Sequence, residues 1–332
     1  MSESLVSVIT AVYNGETYLE QCIKSVLAQT HQEFEYLICN NHSKDRSEQI
    51  ARDYAATDAR IRIVQPPTFL PQVQNFNFAY EQIAPTSKYL KMVHADDWLY
   101  PECLRRMTEL ADANPRVDLV SAYRLIETTP DCFGVPVYES VFSGREACRW
   151  QLLGTVFPFG SQSTVMYRAD AVRQRSPKFF PEDRFFFDVD VAFRLLVGRD
   201  FGFVHQVLSY SRYQKGAITD EASHFNHWFL LMYLQLQQYG RDLLTPEEFE
   251  TRLAQVSADM YRGFGEVWLK DRVRRNKRRK FWEFQNKNLA GIGMQIDSEL
   301  LAKGVLSAGI RLIGSPSELA TKLEDGVRRA IR

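Results

Sequence analysis

Lys88-Tyr-Leu-Lys-Met-Val-His-Ala-Asp-Asp-Trp-Leu-Tyr-Pro101 runs from an apolar strand towards the start of a helix, and this junction decides the fold class. Residues 89–93 form a short run of strand formers. Pro101 fits the first turn of the helix that follows. Between them stand two adjacent carboxylates, Asp96 and Asp97. In an open parallel sheet, ligands bind in the crevice at the carboxyl ends of the strands. Two acidic groups there can hold a hard divalent cation, and a cation so held can hold a diphosphate. One Asp would suffice to cap a helix; a doubled Asp favours the metal.

Upstream, Leu5-Val-Ser-Val-Ile-Thr-Ala-Val12 is a near-continuous β-prone run, as expected of a strand buried on both faces. Asn14-Gly15 breaks it. Leu19, Cys22, Ile23, Val26 and Leu27 then recur at helical spacing, laying one apolar stripe on a sheet. A second strand covers Phe34 to Cys39, followed by the turn Asn40-Asn41-His42-Ser43. Asp45 can cap a helix over 46–57. A strand at Ile61 to Val64 and a helix over 73–83 lead back to the opening stretch. Downstream come a helix over 101–113 and a strand from Asp118 to Ala122. The alternation predicts a doubly wound α/β fold, a mainly parallel sheet flanked by helices.

Beyond that point the pattern changes. Residues 127–143 carry Pro130, Gly134 and Pro136 and read as a loop. A helix is expected near 144–153, a turn of small polar residues over 157–163 and an ordered aromatic loop over 176–187. Val189 to Val197 reads as a helix and Phe203 to Tyr213 as one or two β-segments. From 221 the chain reads as wholly helical, with long periodic segments near 222–239 and 246–270. The expected division is therefore a sheet domain over 1–220 and a helical C-terminal region over 221–332.

Composition narrows the class. Lys+Arg and Asp+Glu both number 41 among 332 residues, so net charge argues against a nucleic-acid partner. The five cysteines, Cys22, Cys39, Cys103, Cys132 and Cys148, are odd in number and without C-x-x-C spacing. Neither zinc nor a disulfide framework is suggested, and a reducing cytoplasm is the simplest setting. The N-terminus has no signal-peptide core, and no apolar run is long enough to span a bilayer. Any membrane contact is expected to be peripheral, at the inner face. A candidate is 268–284, where Arg272, Arg274, Arg275, Lys277, Arg278, Arg279 and Lys280 are flanked by Trp268, Phe281, Trp282 and Phe284. Such a run is either a solvated helix face or an interfacial segment.

These residues also resemble a known family. Val6-Ser-Val-Ile-Thr-Ala-Val-Tyr-Asn-Gly-Glu-Thr-Tyr-Leu19, with Ser25-Val-Leu-Ala-Gln-Thr30, resembles the start of family 2 glycosyltransferases. The string His94 to Pro101 looks like their D-x-D metal motif. Phe187-Asp-Val-Asp-Val-Ala-Phe-Arg-Leu195 resembles their E-D-x-D…R segment, and Tyr210 to Thr219 the strand that closes the domain. The likeness covers roughly 5–220 and implies a Rossmann-like GT-A fold and a nucleotide-sugar donor. By position it implies that Ala11 and Tyr13 line the base pocket and that Asn40 stands where an Asp usually meets uracil. It implies that Asp96 approaches the ribose and diphosphate, that Asp97 holds the metal, and that Asp188 is the base. The chain departs from the family at Asn40, at His94 (the first Asp of D-x-D, where His lowers the negative charge and is not read as a metal ligand), at Phe187 (an acidic position) and at Gln214 (often His). An Asn oxygen can still accept a hydrogen bond. Phe187 makes the surroundings of Asp188 more apolar, which would raise its pKa.

Sugar transfer from a nucleoside diphosphate needs charge neutralisation at the leaving diphosphate and a base for the acceptor hydroxyl. A carboxylate opposite the leaving group gives inversion, by analogy with inverting glycosidases. Asp97 suits the first role, with Mn²⁺ or Mg²⁺, and Asp188 the second. Asp188 can also be a plain helix cap, Asp190 a partner of Arg194 at i, i+4, and Gly160-Ser-Gln-Ser163 either an acceptor wall or a simple turn. His224 and His227 read as helix-surface residues. The expectation is an inverting, metal-dependent glycosyltransferase. Its donor would be a UDP-sugar and its acceptor a hydroxyl of a saccharide or lipid-linked molecule in surface polysaccharide biosynthesis. The alternatives are a catalytically weak nucleotide-sugar-binding protein, a nucleotidyltransferase, or a scaffold whose helical tail is the main business. No Gly-rich basic phosphate loop supports the nucleotidyltransferase.

Overall fold

A computed structural model describes residues 3–175, 178–182, 187–213, 227–270 and 275–314. The chain divides into two compact units, Met1–Tyr213 and Gln214–Arg332.

The first unit begins with β1 (Val6–Val12), α1 (Leu19–Leu27), β2 (Phe34–Asn40), α2 (Ser47–Ala55), β3 (Ile61–Val64), α3 (Gln72–Glu81) and β4 (Tyr89–Met92). Alternate residues of β1 (Val6, Val8, Val12) join Leu19, Cys22, Ile23 and Val26 of α1 in one apolar cluster, so the helical stripe is what seats α1 on the sheet. β1 pairs in parallel with β2, Val12 facing Asn40, and with β4, Val6 facing Tyr89. Parallel pairing brings the carboxyl ends of β1, β2 and β4 to one rim, and the Asp pair follows β4 directly.

There follow β5 (Trp98–Leu99), α4 (Cys103–Ala113), β6 (Val117–Ile126), β7 (Thr129–Asp131), β8 (Val141–Ser143), α5 (Gly144–Leu153), β9 (Met166–Arg168), α6 (Ala169–Arg173), α7 (Phe187–Leu196) and β10 (Asp200–Ser211). The sheet order is β3-β2-β1-β4-β9-β6-β10-β5, with β7 paired to β6 and β8 to β10. The strands β3, β2, β1 and β4 are mutually parallel, and so are β6 and β10; β9 runs antiparallel between the two sets.

Three local expectations are corrected. The helix after the Asp pair starts at Cys103, because Trp98 and Leu99 first pair with Tyr210 and Ser209. The segment 127–143 holds two short strands where a loop was expected, and the turn at 157–163 leads into β9. All these strands are two or three residues long; β5, β8 and β9 exist through partners far along the chain, and β7 through a tight hairpin with the end of β6, so hydrophobic period does not reveal them. The helix expected at 144–153 is found, capped by Ser143, whose hydroxyl accepts the Glu146 amide at 3.1 Å, and closed by Gly154 at φ 71°.

The described part of the second unit is helical: His227–Gln235 continuing through a π-turn at Leu236–Gly240, then Pro246–Lys270, Arg275–Ala290 and Ser298–Gly314. Ser298–Gly314 lies so close to Pro246–Lys270 that a Cβ on Gly304 would overlap the Tyr261 carbonyl. Phe281 is 3% exposed and its ring meets Phe264 at 5.7 Å, so this aromatic belongs to the interior of the helical unit. Arg272 and Arg274 lie outside the described residues, as do Gln214, Lys215, Gly216, His224 and the middle of the aromatic loop. Among the described residues no helix is long and apolar enough to cross a membrane.

Candidate active site

The rim at the carboxyl ends of β1, β2 and β4 holds most of the expected site residues. The turn after β4 is closed by the Asp97 amide donating to the His94 carbonyl at 3.0 Å. It gathers His94, Asp96 and Asp97, each offering one ligand atom within 4.8 Å of the others. Their surroundings differ. Asp97 is 4% exposed, and its two oxygens accept the Arg212 amide at 3.0 Å and the Ser211 hydroxyl at 3.2 Å. Asp96 is half-buried. Burial first, and then the charge of Asp97, push its carboxyl above the ordinary range, with His94 and Arg212 opposing. The His94 ring stacks on Phe76 at 5.9 Å, its Nδ1 stands 3.8 Å from Asp97 Oδ2, and its Nε2 is buried with no protein partner. Two carboxylates and a nitrogen without a protein partner fit a divalent cation of the Mn²⁺ or Mg²⁺ class.

Arg212 completes this corner, and sequence reading did not single it out. Its guanidinium lies 3.9 Å over the Tyr18 ring and 5.3 Å from that of Trp98, donates to Gln21 Oε1 at 2.9 Å and to the Asp96 carbonyl at 3.2 Å. Trp98 in turn stacks on Tyr210 at 3.6 Å. Nothing local flags Arg212; it arrives because β10 ends beside the Asp pair.

At the other end of the rim, Ala11 is half-buried and Tyr13 is 47% exposed, its ring edge-to-face with the exposed Phe69 at 4.9 Å. Asn40 is fully buried. Its Oδ1 accepts the Ser43 amide at 3.2 Å, and its Nδ2 points at Glu48 Oε2 (3.4 Å) and Gln65 Oε1 (3.5 Å). Its side chain is thus engaged within the protein.

Asp188 lies inside the first turn of α7, which begins at Phe187, so it is not the cap ahead of the helix that the sequence suggested; its Oδ1 accepts the Val189 amide at 2.9 Å. It also lines a small cleft with Gly160, Ser161, Gln162 and Tyr167. Burial pushes its carboxyl above the ordinary aspartate range; the Val189 amide, and more weakly His94 and Arg124, oppose this. Phe187 beside it packs on Phe76 at 6.0 Å, and Phe76 also carries the His94 ring. The charge of a protonated His94 acts on Asp96 and on Asp188 alike. Asp190 stands 3.9 Å from Arg194 but is itself buried, so the pair expected on the helix surface has its acid turned inward.

Comparisons with known proteins agree with this architecture. The family described as glycosyl transferase family 2 matches residues 7–175. The chain is 38% identical over 117 residues to the uncharacterized glycosyltransferase EpsJ of Bacillus subtilis, covering 35% of this chain and 33% of that protein. It is 34% identical over 121 residues to the putative glycosyltransferase EpsH of the same organism, covering 36% and 33%. The matched stretch thus spans about a third of the length of these curated relatives. Among solved structures, S. aureus TarS 1-349 in complex with UDP-GlcNAc superposes with TM-score 0.54 at 16% identity, over 88% of this chain and 93% of that one. Mannosyltransferase PcManGT from Pyrobaculum calidifontis, in complex with GDP-Man and Mn²⁺, gives TM-score 0.56 at 14% identity, over 98% and 85%. At these identities the structural likeness speaks for the GT-A fold.

Proposed function

The chain belongs to glycosyl transferase family 2, and from that membership we propose that it is an inverting, metal-dependent enzyme. It would move a sugar from a nucleoside diphosphate sugar to an acceptor hydroxyl. The observation that carries this reading is that His94 belongs to the cation-fitting group with Asp96 and Asp97 and also acts electrostatically on the half-buried carboxyl of Asp188.

In this reading residues 1–220 catalyse the reaction and 221–332 form a helical extension. Tyr13 stacks on the base beside Ala11, and Asn40 shapes the pocket from beneath. Asp96 and His94 hold the cation, because the Asp97 oxygens already accept from Ser211 and Arg212. Asp97 then acts as latch and further ligand. A bound Mn²⁺ or Mg²⁺ supplies Lewis-acid neutralisation of the leaving diphosphate. Arg212 adds a fixed positive charge at the same corner. Asp188 takes the proton from the acceptor hydroxyl, and its place across the site from the diphosphate gives inversion. The apolar packing of Phe187 and Phe76 keeps water from that carboxylate. The acceptor is a saccharide or lipid-linked hydroxyl of surface polysaccharide assembly, with peripheral membrane contact through the basic residues of 268–284 rather than through Phe281, which packs inward.

A thermal-shift panel of UDP, GDP and other nucleoside diphosphates, each with and without Mn²⁺, tests the reading. A ligand that binds only the folded form raises apparent stability. The expected result is a metal-dependent rise with UDP or a related pyrimidine diphosphate. A flat response to every nucleotide would overturn it.

A further inference from the structure

Lys91 sits in the middle of β4, between Val8 of β1 and Met166 of β9, and is fully buried. An ammonium in such a place is costly unless its hydrogens are bonded. Its acceptors among the described residues are two backbone carbonyls, Ser163 at 2.6 Å and Val165 at 3.1 Å. Burial lowers the ammonium to about 8, with Cys103 and Asp97 opposing, so it remains mostly charged at neutral pH. An apolar side chain would fill this strand position without that cost, so the charge calls for an explanation beyond packing.

The segment that Lys91 holds supplies it. Gly160, Ser161, Gln162 and Val165 form one wall of the cleft that Asp188 lines. Ser163 is buried, and its hydroxyl accepts the backbone amide of His94 at 3.0 Å. The clamp on Ser163 and Val165 therefore reaches both parts of the site, the wall facing Asp188 and the turn carrying the Asp pair. We infer that Lys91 is a positioning residue, which pins the 160–165 wall against β4 and thereby sets the distance between the Asp188 carboxyl and the His94–Asp97 turn.

This inference rests on the glycosyltransferase reading, and its test keeps the two apart. Lys91→Met preserves the length of the side chain and removes the ammonium. Donor hydrolysis by the full chain is followed with UDP-glucose, UDP-galactose, UDP-GlcNAc and GDP-mannose plus Mn²⁺, beside direct titration of UDP and GDP. The expected outcome is a kcat lower by roughly tenfold to a hundredfold, as misplacement of reacting groups produces. Nucleotide affinity should stay within about twofold. A merely structural lysine would lower Tm while leaving kcat intact below the melting range, and that result overturns the proposal. So does a joint collapse of kcat and nucleotide affinity. If Lys91→Met does not fold, Ser163→Ala decides: it keeps the carbonyls that Lys91 binds and removes only the acceptor for His94. It should show the same split between kcat and affinity, and no split overturns the proposal. If wild type neither binds nor hydrolyses any donor, the glycosyltransferase reading fails. Hydrogen exchange over 160–165 then decides for Lys91, since an unchanged rate in Lys91→Met means that the clamp does not hold this wall.

Discussion

The Asp97 carboxylate accepts the backbone amide of Arg212 at 3.0 Å, joining the end of β4 to the end of β10 across 115 residues of sequence. With the Ser211 hydroxyl on its other oxygen, this buried carboxylate fixes where Arg212 stands over Tyr18 and Trp98. Asp97→Ala leaves an amide and a hydroxyl without their acceptor. The expected cost is about 1–3 kcal/mol, seen as a Tm lower by several degrees in the absence of any ligand. A variant that melts like wild type would show that the latch carries no weight.

Asp188→Asn keeps a side-chain oxygen for the Val189 amide and removes the base. Turnover should fall by roughly 10²–10⁴-fold while nucleotide titrations stay at the wild-type value. Retained turnover would move the base elsewhere.

The raised carboxyl of Asp188 gives two pH signatures. The base must be ionised, so the acid limb of kcat/KM should lie above the ordinary aspartate range. For stability, a folded-state pKa raised above the unfolded one contributes stability that is fully present below the unfolded value and is lost as pH rises through the folded value. Asp188→Asn should therefore melt higher than wild type at neutral pH, and the difference should vanish below about pH 4, the unfolded aspartate value. Melting curves across pH check this; a constant difference at every pH would contradict it.

Tyr13→Ala should weaken nucleotide binding, since loss of base stacking costs about 1–3 kcal/mol, with Tm in the absence of nucleotide barely changed for a residue 47% exposed. Isothermal titration with the best diphosphate of the panel measures it. Equal affinity would mean that the base lies away from the Tyr13–Phe69 pair.

Gly304→Ala probes the helical unit. An added Cβ meets the Tyr261 backbone rather than a movable side chain. Overpacking of this kind costs about 1–3 kcal/mol, read as a lower Tm or an early second transition. A neutral substitution would show that the two helices separate freely.

How much of this was legible in sequence follows from which contacts are local. The strands at 6–12, 34–40 and 61–64 and their helices carry strong periodic patterns, and the structure has them within a residue or two. The Asp pair stood out because its strand and its helix lie on either side of it. Apolar Phe187 foretold the direction in which Asp188 is shifted, since desolvation is its largest cause. The short strands β5, β7, β8 and β9 were missed, because a strand of two or three residues owes its existence to its partner. Lys91 did carry a signal, a lone cation in an apolar strand, though nothing local said what it binds.

Taken alone, the order of residues determined the alternating α/β architecture, the family likeness and the identity of the chemical groups, because hydrophobic period and motif spacing are properties of neighbours along the chain. Tertiary structure alone decided that Asp97 latches to Arg212, that Asn40 is engaged inward, and that Lys91 binds the carbonyls of Ser163 and Val165. Those contacts depend on strand register and burial, and both are set only when segments distant in sequence pack into one sheet.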